Sequence, residues 1–382
     1  MVAGNPKPPR SLYVHVPFCH HRCGYCNFAL IADRADLVDR YLDALEFEVN
    51  QWVGEFELDT LFLGGGTPSY LSSRQWLRLA EVLFQRFAFS GDFEFTAECN
   101  PNDLQKGRLD AMLEAGVNRL SLGVQSFDDR KLKFLERTHT RADAIDSIQR
   151  AKVLLDKVSI DLIFACPDEW DDTWQSDLDT AVSLQIDHVS TYELTYEKGT
   201  RFWNRLNRGE LLLVPADHRA KLYECAINTL TAAGWEQYEV SSFAKPEHRC
   251  RHNQVYWNGD SFLAAGPGAS RFLGGVRETN HRSTTRYMQL LEANQSPVAE
   301  GEALDARSLA KDRIAFGLRL LDGVKLGPFR EMTGFDLIDF LGDLGVIWRS
   351  ERLLTINRDV CQLTPQGVMV YDAIASEIYA LD

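Results

Sequence analysis

Three cysteines stand close together near the start of the chain, in His15-Val-Pro-Phe-Cys19-His-His-Arg-Cys23-Gly-Tyr-Cys26. The C-x3-C-x2-C spacing, on a polar loop after a short apolar run, suits three thiolates ligating three irons of a [4Fe–4S] cluster. The fourth iron is then left without a protein ligand, which is what a chelating small molecule requires. The rival is zinc, its tetrahedron closed by His20 or His21. Neighbouring histidines inside so short a loop would strain to reach the same ion. Further along, Leu63-Gly64-Gly65-Gly66-Thr67-Pro68 ends a second apolar run. Glycines allow backbone groups to approach a ligand closely, and Thr67 adds a hydroxyl. Glu98, Gln125, Arg137 and Asp161 complete the set. Asp161 lies between Ile160 and Leu162, and a carboxylate among apolar neighbours must be paired or bind a ligand. Carboxylates accept from hydroxyls or ammonium groups, and a guanidinium can grip a carboxylate at two points. A buried Asp161–Arg137 ion pair is the structural alternative.

These residues need elements to carry them. Ser11–Val16, Thr60–Leu63, Phe93–Ala97, Arg119–Val124, Ser159–Phe164, His188–Glu193 and Glu236–Val240 read as strands. Ala35–Trp52, Ser73–Phe87 and the stretches 103–115, 128–155, 172–184 and 216–233 have apolar residues at helical spacing. Strand alternating with helix implies parallel pairing, and so many units suggest a (β/α) barrel, open or closed. Thr67, Glu98, Gln125 and Asp161 fall where strands end, the rim that forms the active site in such barrels. After residue 240 the alternation stops. Residues 241–302 read as a loop-rich connector, and 303–382 as a small α+β domain: helices 307–320 and 326–345, strand-like pieces 353–356 and 360–363, and a last helix 365–380. Helices followed by a small hairpin are winged-helix-like, but no basic recognition helix is present. Residues 1–10 read as a flexible N-terminus, and 11–240 as the barrel domain.

The chain has 382 residues, of which 45% are apolar and 25% charged, enough to bury a core without disulfides. Its net charge of -14 and the lack of a Lys/Arg block argue against a nucleic-acid surface. The remaining cysteines, at 99, 166, 225, 250 and 361, are scattered, which fits a reducing compartment. No apolar run is long enough to span a bilayer, and no signal peptide is evident. The expectation is a cytoplasmic protein, with peripheral membrane contact left open.

The cysteine spacing, with Tyr25 before the last thiol, resembles the radical S-adenosylmethionine (SAM) superfamily. The resemblance implies a partial (β/α)6-type barrel holding a [4Fe–4S] cluster on Cys19, Cys23 and Cys26. It further implies SAM chelating the open iron and cleaved reductively to a 5′-deoxyadenosyl radical. SAM would be bound by Tyr13, Tyr25, Gly65, Gly66, Thr67, Glu98, Gln125, Arg137 and Asp161. Tyr-x-His-x-Pro-Phe-Cys, Leu-Gly-Gly-Gly-Thr-Pro-Ser-Tyr-Leu, Gly-Val-Gln-Ser-Phe-Asp and the winged-helix-like tail narrow the resemblance to the HemN-like branch. That branch is named for oxygen-independent coproporphyrinogen III dehydrogenase. Phe28 stands where the dehydrogenase has a fourth cysteine, and that enzyme's extended N-terminal segment is missing, which weighs against oxidative decarboxylation. The chain is more similar to the haem-chaperone group of the branch. Its segment Tyr238–Trp257 contains His252-Asn253-Gln-Val-Tyr256-Trp257, a His-Asn-x-x-Tyr-Trp motif that this group associates with haem. An imidazole can ligate haem iron and aromatics can pack on a porphyrin face; Cys250 is a second candidate ligand. The resemblance thus implies haem as cargo, haem-accepting proteins as partners, and an electron donor for the cluster. Coproporphyrinogen III decarboxylation, reductive or methylating opening of haem, and a structural cluster protein with a vestigial SAM pocket are the alternatives.

Overall fold

The computed structural model describes residues 8–381; residues 1–7 of the expected flexible N-terminus lie outside this range. Nine strands form one sheet: β1 (Ser11–Val16), β2 (Glu57–Gly65), β3 (Ala88–Cys99), β4 (Arg119–Gln125), β5 (Val158–Phe164), β6 (His188–Glu193), β7 (Glu236–Glu239), β8 (Ser242–Ala244) and β9 (Leu263–Ala265). The order is β9-β1-β2-β3-β4-β5-β6-β8-β7. From β9 to β6 all neighbours are parallel, whereas β8 and β7 are antiparallel. The fold is α/β, an open (β/α)6-type partial barrel, as the alternation predicts. The seventh expected strand is not another parallel unit but an antiparallel edge, because the two-residue link from β7 to β8 permits only a hairpin.

Each crossover is a helix that buries one face against the sheet. These are α1 (Val38–Asn50), α2 (Ser73–Arg86), α3 (Lys106–Glu114), α4 (Arg141–Leu154), α5 (Asp171–Ser183) and α6 (Ala216–Ala232). Ser72 starts α2 through a reciprocal capping box with Gln75, satisfying two amides that the helix itself leaves unpaired. The stretch 128–155, read as one helix, is two: Asp129–Phe134 and α4. The Thr140–Asp143 capping box starts α4 afresh, and the intervening turn carries Arg137 to the barrel mouth. The main core joins sheet and helices through residues such as Leu12, Leu61, Trp76, Phe95, Leu120, Ile148, Ile160 and Trp174.

The segment 241–302 is more regular than its glycines suggest. It supplies β8, helix α7 (Arg251–Trp257), β9 and a small three-stranded antiparallel sheet. A buried carboxylate ties this segment to α1. Glu48 accepts hydrogen bonds from the Tyr287 hydroxyl (2.5 Å), the Asn280 amide (2.7 Å) and the Gly266 N–H (2.9 Å). Beyond it a second core gathers Ile314, Phe329, Leu337, Leu341, Trp348, Leu363 and Ile374. Helices Ala306–Arg319, Leu326–Thr333 and Leu337–Ser350 pack there against strands Val324–Lys325, Leu354–Asn357 and Val360–Leu363, a winged-helix-like unit. The expected helix 326–345 is broken at Gly334, whose φ of 79° ends its first half, a conformation that glycine adopts without strain. Among the described residues no helix is long and apolar enough to cross a membrane.

Replacing Glu48 by Ala would leave three buried donors unsatisfied. We expect Glu48→Ala to lower the free energy of unfolding by about 3–5 kcal/mol, read from urea titration of the whole chain.

Candidate functional site

The first four parallel strands end at one rim, and their register brings the chemical residues together. Val16 lies beside Gly65, Leu63 beside Ala97, and Cys99 beside Leu122. The cysteine loop leaves β1 and crosses this rim. Cys19 is buried, with its Sγ 3.0 Å from Thr67 Oγ1. Cys23 and Cys26 are half-buried, and the Cys26 N–H donates to the Cys23 carbonyl at 3.1 Å. Arg137 Nη1 lies 3.5 Å from Cys23 Sγ. Burial pushes the Cys19 thiol up to about 12, against the hydrogen bond with Thr67. The protein alone therefore keeps Cys19 protonated, and binding metal there releases a proton.

Both histidines of the loop turn away from the thiols. His20 Nε2 is 3.2 Å from Asp103 and its ring lies 4.5 Å from that of Tyr70, while His21 Nε2 faces Glu136 at 3.7 Å. Among the described residues no group of three His, Cys, Asp or Glu side chains is arranged to hold a single metal ion. His20 and His21 are each paired with a carboxylate rather than with a thiol.

Around the thiols the rim is polar. Gly65 N–H donates to Glu98 Oε2 at 3.0 Å. Tyr13 lies on the inner wall, its hydroxyl 3.1 Å from His15 Nδ1. Gln125 ends β4 with a φ of 68°, a strained backbone of the kind found at ligand sites. Tyr25 packs edge-on against Phe202, with ring centroids 6.2 Å apart. Arg137 donates to Asn100 Oδ1 (2.5 Å) and to the Gly123 carbonyl (3.0 Å), and its Nε has no partner. The Arg137–Asp161 ion pair allowed by the sequence does not form. Asp161 sits mid-strand in β5 rather than at its end, opposite Ser190, and Ser121 Oγ is 3.5 Å from its Oδ2.

Two residues that sequence reasoning left without a role stand out. Asn100 was visible in Glu98-Cys-Asn100-Pro, and its position just past β3 was the available signal. Phe202 comes from a distant segment and carried none; its N–H donates to the Gly24 carbonyl at 2.9 Å. A Cβ on Gly24 would stand 2.3 Å from the Phe202 ring, so glycine is required at that turn.

Beneath the rim lies a cavity of about 210 Å³, lined by Tyr13, Glu98, Asp161, Arg119, His252 and Tyr256 among others. Thr96 Oγ1 and Arg119 Nη2 face it without a hydrogen-bond partner. Helix α7 forms the floor. His252 is 1% exposed, with Nδ1 2.7 Å from Thr60 Oγ1 and Nε2 2.7 Å from the Tyr256 hydroxyl. Burial lowers its pKa to about 3, so the ring is neutral and both nitrogens are engaged. Asn253 and Cys250 line the same cavity, whereas Trp257 faces Arg319 and Phe316 of the C-terminal unit. Tyr13, Glu98 and Asp161 therefore share one chamber with His252, Asn253 and Tyr256.

Residues 13–181 match the model of the Radical SAM superfamily. The heme chaperone HemW of Bacillus subtilis is 35% identical over 354 residues, 90% of this chain and 93% of the relative. The chain belongs to the HemW family of radical SAM proteins. HemW of Escherichia coli is 37% identical over 74% of this chain and 76% of its own. The mitochondrial radical S-adenosyl methionine domain-containing protein 1 of mouse is 31% identical over 97% and 85%. Among solved structures, E. coli coproporphyrinogen III oxidase HemN superposes with a TM-score of 0.85 over 98% of this chain and 91% of that one. At 24% identity this likeness speaks for the fold. Membership of the HemW family within the radical SAM superfamily implies a [4Fe–4S] cluster and SAM as cofactors, and the thiol-bearing rim is compatible with both.

Burial raises Glu98 to about 8, helped by the nearby Asp161 charge, and Asp161 itself to about 6. Below those values each carboxyl is neutral; above them each attracts a cation. SAM carries a sulfonium and an ammonium group, so its affinity should rise as pH goes from 6 to 8, by up to about tenfold per unit for each proton released. Titration calorimetry on anaerobically reconstituted protein checks this, and Glu98→Gln should flatten the upper part of the rise.

Proposed function

We propose that this HemW-family chain is a haem chaperone that binds haem and a SAM-liganded [4Fe–4S] cluster and delivers haem to recipient proteins. The observation that carries the reading is the near full-length likeness to proteins named heme chaperones. Phe28, 62% exposed, supports it: it stands where the resemblance places the fourth cysteine of the decarboxylating enzyme.

Cys19, Cys23 and Cys26 would hold the cluster, which when bound supplies an electron to the sulfonium of SAM. The chain's own groups orient that ligand. Gly65 and Gly66 offer backbone at close range, Thr67 a hydroxyl, and Glu98 and Asp161 acceptors for ammonium or ribose hydroxyls. Arg137 has a free Nε–H to donate, Tyr13 lines the chamber, Tyr25 stands in the cysteine loop against Phe202, and Gln125 presents its amide from a strained turn. The rim, the Phe202 segment and α7 together restrict water around the reacting centre.

Haem would engage the His252, Asn253, Tyr256 and Trp257 motif by exchange. The chamber of about 210 Å³ is below the roughly 300 Å³ typical of the smallest ligand pockets. His252 therefore meets haem iron only if α7 swings outward and Nε2 leaves the Tyr256 hydroxyl. Freeing Nε2 in advance, by Tyr256→Phe, is expected to tighten haem binding several-fold, and His252→Ala to abolish the Soret shift. A wild-type chain that gives no Soret shift on adding haem would remove the chaperone reading. The same anaerobic preparation, supplied with coproporphyrinogen III and SAM, should form no protoporphyrinogen; steady turnover would favour the dehydrogenase reading instead.

A further inference from the structure

A continuous line of polar contacts runs from one cluster cysteine to another through a residue with no role so far. Cys19 Sγ lies 3.0 Å from Thr67 Oγ1, and Asn100 Nδ2 donates to that same oxygen at 3.1 Å. Asn100 Oδ1 accepts from Arg137 Nη2 at 2.5 Å, and Arg137 Nη1 reaches Cys23 Sγ at 3.5 Å. The two ends of the Asn100 amide therefore face a hydroxyl and a guanidinium. Since the guanidinium can only donate, the carbonyl oxygen must face it and the NH2 must face Thr67. The Thr67 oxygen is then an acceptor on the Asn100 side, and its own proton is free to point at Cys19. A metal-bound thiolate is a pure acceptor and receives that proton's hydrogen bond.

The backbone of Asn100 is itself fixed. It is held extended, with φ -86° and ψ 142°, immediately before Pro101, as a residue preceding proline prefers. Its N–H donates to Ser69 Oγ at 3.1 Å, and Ser69 in turn donates to the buried Asp103 at 3.0 Å. The amide is thus carried on a rigid support at the end of β3, between the loops that follow β2 and β4.

We infer that Asn100 is a positioning residue that aims one hydrogen bond at Cys19, through Thr67, and a second at Cys23, through Arg137. This rests on the assignment of the cluster to Cys19, Cys23 and Cys26. Donors directed at cluster sulfurs stabilise the extra electron of the reduced state and raise the reduction potential. Asn100 therefore sets how readily the cluster is reduced, without touching iron, SAM or substrate.

The test uses the full chain, reconstituted anaerobically, with Asn100→Asp and Asn100→Leu beside wild type. Asn100→Asp keeps the size of the side chain but replaces the donor with an acceptor, so the Thr67 proton turns from Cys19 to the new carboxylate. The cluster midpoint potential, followed by electron paramagnetic resonance, should fall in Asn100→Leu and fall further in Asn100→Asp. Iron–thiolate stretching bands in the resonance Raman spectrum should move to higher frequency as the sulfurs lose donors. Thr67→Val should lower the potential of wild type but change it less in the Asn100→Leu background, because the two residues act in series. Iron-loaded variants with wild-type potentials and bands would overturn the inference. So would an Asn100→Asp chain that folds, by circular dichroism, yet takes up no iron, since a residue that only aims donors does not decide whether iron binds. An iron-free wild type would instead sink the cluster assignment itself.

Discussion

The arrangement depends on how closely the end of β2 approaches the exit of β1. Gly66 N–H donates to the Val16 carbonyl at 2.9 Å, and a Cβ on Gly66 would lie 2.8 Å from backbone atoms of Val16 and Phe18. Gly65 has a φ of +105°, and a Cβ there would meet the His15 ring at 2.4 Å. Both positions exclude any side chain. With that space kept clear, the chain leaving β1 passes directly over β2, and Cys19 comes to rest against Thr67. His15 is held in turn by the Ala29 carbonyl, 2.6 Å from its Nε2, so the far end of the cysteine loop is anchored to the strand from which the loop departs. The glycines and the cysteines belong to one packing unit.

What the sequence could reveal follows from how local each signal is. The parallel strands β1 to β6 were readable because each is an apolar run set off by polar turns, and their rim followed from the rule for parallel barrels. The glycine triplet and the cysteine spacing are likewise local. Asp161 was misplaced along its strand because an acidic residue in an apolar run gives no information about depth. The break between Asp129–Phe134 and α4 was hidden by helical spacing that continues across it; only the Thr140–Asp143 pair marked the restart. The sheet role of β9 was unreadable, since three short apolar residues amid glycines gain strand character only by pairing with β1. Glu48 carried no warning either: on α1 it looks like a solvated acid, and its three partners lie more than two hundred residues away.

The barrel interior collects ionisable groups that burial keeps from their ordinary states. Glu98 and Asp161 are pushed toward neutrality, and His252 is held neutral from the opposite direction. Arg119 is almost wholly buried and stands 3.8 Å from Glu94, too far for a hydrogen bond. A chamber lined by these groups is a poor way to stabilise a fold, because well-packed apolar residues would serve as well or better. By contrast, the Lys131–Glu169–Asp177 cluster, equally buried, is closed by its own charges and by the Phe127 and Cys166 amides. The two clusters are alike in burial and differ in how fully their polar atoms are paired.

A line of ring contacts connects the two sides of this chamber. The Tyr13 ring stacks on Phe62 with centroids 6.1 Å apart, Phe62 stacks on His252 at 5.1 Å, and His252 meets Tyr256 edge-on at 5.1 Å. This line of rings runs from the wall beside Glu98 to the floor helix. Outward movement of α7 would take away the ring on which Phe62 rests and enlarge the chamber under the mouth.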